Sequence, residues 1–352
     1  MFNEVRAQEL PQTVRRDLRA LYHFYLDEER RADLARMGRV RRAIWIPLWF
    51  LKSLLLKLTP QRRLLLVIAL LLALLARADF QVRSVQVSFD ASPWGFLILL
   101  FVLALELKDK LLARDEIAIA RQVQLALLPS RDPEVAGFAL WSHTRPANDV
   151  GGDLVDYIEL PGKVGVALGD VAGKGLGAAL LMAKLQATLR AIAPGASSLD
   201  EIGARLNQVL CRDGLDNRFA TLIYAELPAE GGSIALLNAG HNPPLVVRAG
   251  GVVLPLGPDG LPLGMFPEST YTVTRVDLEP GDLLVLYSDG LVEARNSADE
   301  EFGFERLTRL APALREQQPA DGGGRLLGEV DRFLGDVRPQ DDLSIVLIRR
   351  RD

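Results

Sequence analysis

The stretch Asp149–Leu180, DVGGDLVDYIELPGKVGVALGDVAGKGLGAAL, decides how the rest of the chain reads. Asp153 follows the pair Gly151-Gly152 and opens an apolar segment, Leu154–Glu159. Val164–Leu168 is a second apolar run of strand length, and Gly169-Asp170 ends it. Gly173, Gly175 and Gly177 then lead into an apolar helix, Ala178–Ala193. Glycine lets the backbone turn tightly and lets a ligand approach the main chain. Aspartates at strand ends beside bare backbone can hold a hard cation such as Mg2+ or Mn2+ through oxygen. The same residues also read as a Gly-rich turn with solvated aspartates. A phosphate loop of the P-loop kind is not supported, because Lys174 is followed by Gly175 where that motif needs Ser or Thr.

Further along the chain the pattern recurs. Leu283–Tyr287 is an apolar strand that runs into Ser288-Asp289-Gly290, and Gln340-Asp341-Asp342 immediately precedes the strand Leu343–Ile348. Asp153, Asp170, Asp289 and Asp341/Asp342 thus all sit at strand ends, far apart in sequence. If they converge, the site is all-oxygen and lacks the His or Cys cluster that zinc prefers. Clustered carboxylates repel one another unless cations neutralise them. Two hard cations sharing a carboxylate can activate water and clamp a phosphoryl group.

These segments resemble the SpoIIE/RsbU-like branch of the metal-dependent protein phosphatases, the PPM family. The resemblance rests on Gln124–Pro129 (QLALLP), Arg145–Asp153 (RPANDVGGD), Gly169–Gly175 (GDVAGKG), Ala178–Leu180, Asn238–Pro244 (NAGHNPP), Tyr287–Gly290 (YSDG) and Asp341-Asp342, in that order. It covers about residues 115–350 and leaves the N-terminal third unexplained. It implies an α+β fold, an αββα sandwich of two antiparallel sheets flanked by helices, with two Mn2+ or Mg2+ at one edge. By the same resemblance Asp170 bridges both metals, the Val171 carbonyl adds a backbone ligand and Asp153 serves one metal. Asp289 and Asp341 serve the other, with Asp342 as the alternative for the last place. Metal-activated water then attacks phosphoserine or phosphothreonine directly, without a phosphoenzyme, so Asp153, Asp170 and Asp289 carry the chemistry and the protein supplies position and charge. Positions 154–155 are Leu-Val where the branch often carries aromatics, which predicts altered packing and intact ligands. His241 reads either as a general acid or as a histidine that hydrogen-bonds its loop. Lys174 and Arg145 read as contacts to substrate phosphate or as surface charge.

The strands expected from Ala136 onward are Phe138–Trp141, Leu154–Glu159, Val164–Leu168, Phe219–Leu227, Ser233–Asn238, Leu245–Arg248, Val252–Leu256, Tyr271–Asp277, Asp282–Ser288 and Leu343–Ile348. Ser198–Cys211, Phe304–Ala313 and Gly324–Leu334 read as further helices, with residues 318–324 as a polar break. Runs of strands with paired helices predict an α+β layered domain over residues 129–352, not a βαβ repeat.

The N-terminal third has another texture. Residues 1–63 form a basic, partly amphipathic region that includes Arg15, Arg16, Arg30, Arg31, Arg62 and Arg63, and its first residues lack the apolar core of a signal peptide. Residues 12–38 look helical and polar, and Ile44–Leu58 interleaves Trp45, Trp49, Lys52 and Lys57 in the manner of an interfacial helix. Leu64–Ala76 and Trp94–Leu105 are apolar all round, though shorter than the ~20 residues of a straight span. Arg62-Arg63 before the first and Lys108, Lys110 and Arg114 after the second put basic flanks on one side, so residues 64–107 read as a two-span membrane hairpin with Gln81–Pro93 as its outer link. A buried helical domain is the alternative. Residues 106–128 read as an amphipathic linker suited to homodimerisation, ended by Pro129.

With a net charge of -4 in 352 residues there is no general case for nucleic-acid binding, and the single cysteine, Cys211, excludes an internal disulfide. Two functions follow. One is a membrane-tethered phosphatase in the bacterial cytoplasmic membrane, with its catalytic domain in the cytoplasm. Its implied substrate is a phosphorylated regulatory protein, an anti-sigma-factor antagonist of STAS type. The other is a non-catalytic signalling scaffold that uses the same fold.

Overall fold

The structure is a computed structural model that describes residues 33–351 except residues 35, 75–76, 83–84, 91, 214–217 and 258–259. The polar helix expected over residues 12–38, with Arg15, Arg16, Arg30 and Arg31, falls largely outside the described residues. The chain divides into two compact units, residues 1–113 and 114–352.

The first unit contains helices α1 (Arg39–Lys57) and α2 (Pro60–Leu74), strands β1 (Arg77–Val82) and β2 (Val85–Asp90), and the beginning of helix α3 (Ser92–Leu127). The link expected as one strand-like loop is a two-stranded antiparallel hairpin that closes at Val82 and Val85. Helix α3 runs unbroken for 36 residues, from the second apolar run through the expected linker. Pro93 stands at its start and Pro129 just beyond its end, and no proline falls between them. Near the start of α2, Arg62 donates to Glu106 at 2.7 Å and to Asp109 at 2.6 Å on α3. Many apolar side chains of both helices face outward, among them Leu64 at 62% and Phe96 at 64% exposure, while Leu66, Ala69 and Val102 are buried. Among the described residues, only Leu176–Gly195 is long and apolar enough to qualify as a membrane span by composition, and half of it is buried in the second unit. Helix α2 has only 15 residues, and in α3 the charges at Glu106, Lys108, Asp109 and Lys110 follow the apolar run closely.

The second unit holds two five-stranded sheets. The first is built from β4 (Leu154–Leu160), β5 (Lys163–Val171), β6 (Ala220–Pro228), β7 (Ile234–Ala239) and β10 (Val273–Val276), in the order β10-β7-β6-β5-β4. The second is built from β3 (Phe138–Arg145), β8 (Leu245–Val247), β9 (Val253–Pro255), β11 (Leu283–Tyr287) and β12 (Leu343–Arg350), in the order β3-β12-β11-β8-β9. All neighbours are antiparallel. Helices α4 (Leu176–Ile192) and α5 (Leu199–Asp213) cover one sheet. Helices α7 (Phe304–Arg315) and α8 (Pro319–Leu334) cover the other, and a single turn, α6 (Asp289–Val292), follows β11. This is the expected αββα sandwich.

The central strands read as unbroken apolar runs because both faces are buried. In β11, Leu283, Val285 and Tyr287 point to α7 and α8, whereas Leu284 and Leu286 point to the facing sheet. Leu154 faces α4 and α5, and its neighbour Val155 faces the other sheet. Each fully buried side chain of this size contributes roughly 1.5–3 kcal/mol. Two differences from the sequence reading have tertiary causes. Strand β3 extends to Arg145 because it pairs with β12 along its whole length. Helix α8 begins at Pro319 and passes through the expected break, because Gly322 packs on the backbone of Leu314 and Gly323 on the ring of Trp141, where a side chain would collide.

The topology gathers four chain ends. Antiparallel pairing sets Leu154 opposite Gly169, so Asp153 and Asp170 lie together at one end of the first sheet. In the second sheet Tyr287 pairs with Ile345, so Ser288-Asp289 and Asp341-Asp342 meet at the same end of their ladder.

Candidate active site

A cleft of about 330 Å3 opens at these strand ends, lined in part by Asp170, the Val171 backbone, Lys174, His241, Asp289 and Asp341. Asp153 stands behind it, 4% exposed. The structure therefore brings together residues from four separate segments that the sequence could only mark one by one.

The electrostatics of the acids are those of a site short of positive charge. Burial, then Asp289, Asp341 and Asp342, push Asp170 up to about 7. Burial, then Asp341 and Glu293, push Asp289 up to about 6, against the opposing effects of the Gly290 N–H and Lys174. Burial and then the Asp170 charge hold Asp153 well above the usual carboxylate range, and the hydroxyls of Ser344 and Ser288 offset this only partly.

These residues fit a hard divalent cation. Asp153 Oδ2 is buried and has no hydrogen-bond partner. A side chain at Gly152 would put its first carbon 3.0 Å from the Val171 carbonyl oxygen and 3.1 Å from Asp170 Oδ1, so the glycine keeps that space open. Among the described residues, however, no three acidic, His or Cys groups close on one point as a ready cage. Asp170, Asp289 and Asp341 line a shared cleft.

Asp342 is engaged differently. Its Oδ1 accepts from the Ala147 N–H at 2.7 Å and its Oδ2 from the Gly152 N–H at 2.5 Å. Both oxygens thus hold the loop that carries Asp153. Lys174 donates to the Gln340 carbonyl at 2.7 Å and stands 3.0 Å from Asp341 Oδ2. Arg145 does not line the cleft, and its guanidinium donates to Asp331 on α8 at 2.7 Å.

His241 is 5% exposed at the cleft wall. Its N–H donates to Asn238 Oδ1 at 2.8 Å, and its Nδ1 is 2.7 Å from the Thr221 hydroxyl. Burial pushes the imidazole down to about 4, so the ring is neutral at neutral pH, and Nε2 has no protein partner. His241 is thus held in its loop by the Asn238 and Thr221 side chains.

Sequence reasoning passed over Thr221 and Glu293, which also line the cleft. Glu293 lies four residues after Asp289, a helical spacing that puts both on one face, so its signal was present in the sequence. Thr221 is opposite Asp170 only through the pairing of β5 with β6, which no local pattern reveals.

Comparison with known proteins places this arrangement. The family described as Stage II sporulation protein E (SpoIIE) matches residues 161–351, more than half of the chain. Protein IcfG of Synechocystis is 30% identical over 60% of this chain and 38% of its own length. The phosphoserine phosphatase RsbU of Bacillus subtilis is 26% identical over 68% of this chain and 71% of its own length. The chain thus spans well under half of IcfG and about seven tenths of RsbU. In three dimensions, the RsbU and RsbW domains of Rv1364c from Mycobacterium tuberculosis align with a TM-score of 0.52 at 26% identity, over 62% of this chain and 61% of that one. The SiaA-PP2C domain of Pseudomonas aeruginosa shares the fold with a TM-score of 0.61 at 21% identity, over 69% of this chain and 99% of that one. With the αββα sandwich, the acids at its strand ends and the family match in agreement, the chain belongs to the SpoIIE family, in the SpoIIE/RsbU-like branch of the PPM phosphatases.

Proposed function

We propose that the chain is a metal-dependent protein serine/threonine phosphatase. The observation that carries this reading is the convergence of Asp170, Asp289 and Asp341 on one cleft, with Asp153 buried behind it and its Oδ2 without a hydrogen-bond partner. Two Mn2+ or Mg2+ held there would neutralise phosphoryl oxygens and lower the pKa of a water.

The chain's own residues set the geometry. Asp170, at the end of β5, and the Val171 carbonyl would hold the cations, with Asp153 contributing from the buried side and Asp289 and Asp341 from the open side. We assign the last ligand position to Asp341, because both Asp342 oxygens are taken by main-chain donors. With Asp341 engaged by a cation, Lys174 would give up that contact and its ammonium would be available at the cleft rim for a phosphate oxygen. His241, buried and neutral, would steady its loop through Asn238 and Thr221 and is not assigned as a general acid. Arg145 is left out of the proposed substrate contacts, being paired with Asp331 outside the cleft.

The substrate we propose is a phosphoserine or phosphothreonine on a regulatory protein, an anti-sigma-factor antagonist of STAS type. The name of the relative RsbU supports the phosphoserine. The outward apolar faces of α2 and of the first half of α3 support attachment to a bacterial cytoplasmic membrane, with the catalytic unit in the cytoplasm. Exposed Leu107, Leu111 and Leu125 on the second half of α3 suit pairing with a second copy of the chain. The full chain, in detergent or vesicles, should hydrolyse a phosphorylated STAS-type protein with Mn2+ and stop when the metal is chelated. Metal binding without hydrolysis of that protein or of p-nitrophenyl phosphate would instead favour the scaffold.

A further inference from the structure

The loop that carries Asp153 has no ladder of its own. The first pair of the β4–β5 ladder is Leu154 with Gly169, so residues 150–153 lie outside the sheet. Their polar groups are bound by side chains from elsewhere. Asp342 takes the Gly152 N–H. Gln124, in the last turn of α3, takes both groups of Gly151: its Nε2 donates to the Gly151 carbonyl at 2.7 Å, and its Oε1 accepts from the Gly151 N–H at 3.0 Å. One carboxamide thus grips both polar groups of a single residue, and it does so while only 6% exposed. Gly151 has no room for a side chain, which would collide with the Asp342 carboxylate, so Gln124 and Asp342 can close on the backbone from two directions. The same helix end also touches α4, since Gln186 donates to the Leu127 carbonyl at 2.8 Å.

We propose that Gln124 is a positioning residue of the metal centre: by holding both polar groups of Gly151 it aims the Asp153 carboxylate at the cation site. This inference rests on the metal-centre reading above. A glutamine meets the requirement because it offers one donor and one acceptor in a single plane. A glutamate of the same shape keeps an acceptor for the Gly151 N–H and turns its other oxygen against the Gly151 carbonyl. A leucine leaves both backbone groups unbound. Groups that hold a ligand without touching the metal commonly cost about 10- to 100-fold in metal affinity when lost.

The test uses the full chain and its Gln124→Glu, Gln124→Leu and Gln186→Leu variants, with Mn2+ binding followed by titration calorimetry and p-nitrophenyl phosphate as the reporter substrate. The expected result is Mn2+ binding weakened about tenfold or more in both Gln124 variants. Activity should return at saturating Mn2+ with an unchanged KM for the ester. Gln186→Leu, which loosens the same helix end without touching the loop, should bind Mn2+ like the parent. Unchanged Mn2+ affinity in Gln124→Glu, or an equal loss in Gln186→Leu, would overturn the positioning role while leaving the metal centre intact. Failure of the parent chain itself to bind Mn2+ would overturn both.

Discussion

The two units depart from the usual distribution of polar and apolar groups in opposite directions. The N-terminal unit turns Leu64, Trp94, Phe96 and Leu103 outward, each well over a third exposed. The C-terminal unit turns Asp153 and Asp342 inward, each under a tenth exposed. Bare apolar surface is stable in water only when something covers it, and a buried charge only when something neutralises it. The two units thus differ in what they leave uncompensated: apolar surface in the first, clustered carboxylates in the second.

The largest effect is expected where the charge deficit is removed. Asp170→Asn should abolish Mn2+ binding and lower phosphatase turnover about a thousandfold or more, as expected when several kcal/mol of cation stabilisation are lost. The same substitution should raise the melting temperature of the metal-free protein, because it deletes a repelled, half-buried carboxylate. Calorimetry with and without Mn2+ reads both, and a destabilised metal-free variant would contradict the charge deficit described here.

Next comes the contrast between inward and outward apolar residues. Leu185→Ala, fully buried against α4's own sheet, should cost about 2–5 kcal/mol in unfolding. Phe96→Ser, on the outward face, should leave the unfolding of the catalytic unit within about 0.5 kcal/mol of the parent. It should also reduce the fraction of protein that floats with phospholipid vesicles. Equal behaviour of the two variants in denaturation would erase the distinction between the units.

A pH series sharpens the acidic side. Asp170 at about 7 and Asp289 at about 6 hold protons in the folded, metal-free protein that the unfolded chain, near 3.8, has already released. The folded state therefore binds more protons between about pH 4 and 7, and the metal-free protein should lose stability as pH rises through that window. Mn2+ affinity should rise over the same window as those protons are displaced. Melting temperatures across the range, with and without Mn2+, check the sign.

The smallest effect concerns the ion pair at the rim. Lys174→Gln frees Asp341 from a half-exposed partner, a contact worth about 0.2–1 kcal/mol. Mn2+ affinity should rise only a few-fold, while KM for a phosphoprotein should increase. A fall in Mn2+ affinity would show that Lys174 supports Asp341 and does not compete for it.

Much of this was legible in the chain. Central strands of the second unit such as β5, β6 and β11 stand where apolar runs end in Gly, Asp or Pro, because strands buried on both faces cannot alternate. Asp153, Asp170, Asp289 and Asp341 were legible as strand-end acids next to glycine. The misreadings lie where backbone meets a distant group. The glycines of α8 looked like a break until Trp141 and Leu314 were seen against them. Asp341 and Asp342 were indistinguishable as neighbours in sequence.

The sequence by itself determined which segments are strands and helices, which residues are apolar enough for a core, and that the surviving acids form an oxygen-only set. Those are properties of periodicity and composition, which are local. Tertiary structure alone decided which acids share a cleft, that Asp342 spends both oxygens on backbone donors, that Thr221 stands opposite Asp170 and that Gln124 grips Gly151. These depend on register between segments separated by tens to hundreds of residues, and hydrogen-bond partnership at that range is fixed by packing and leaves no local trace in the chain.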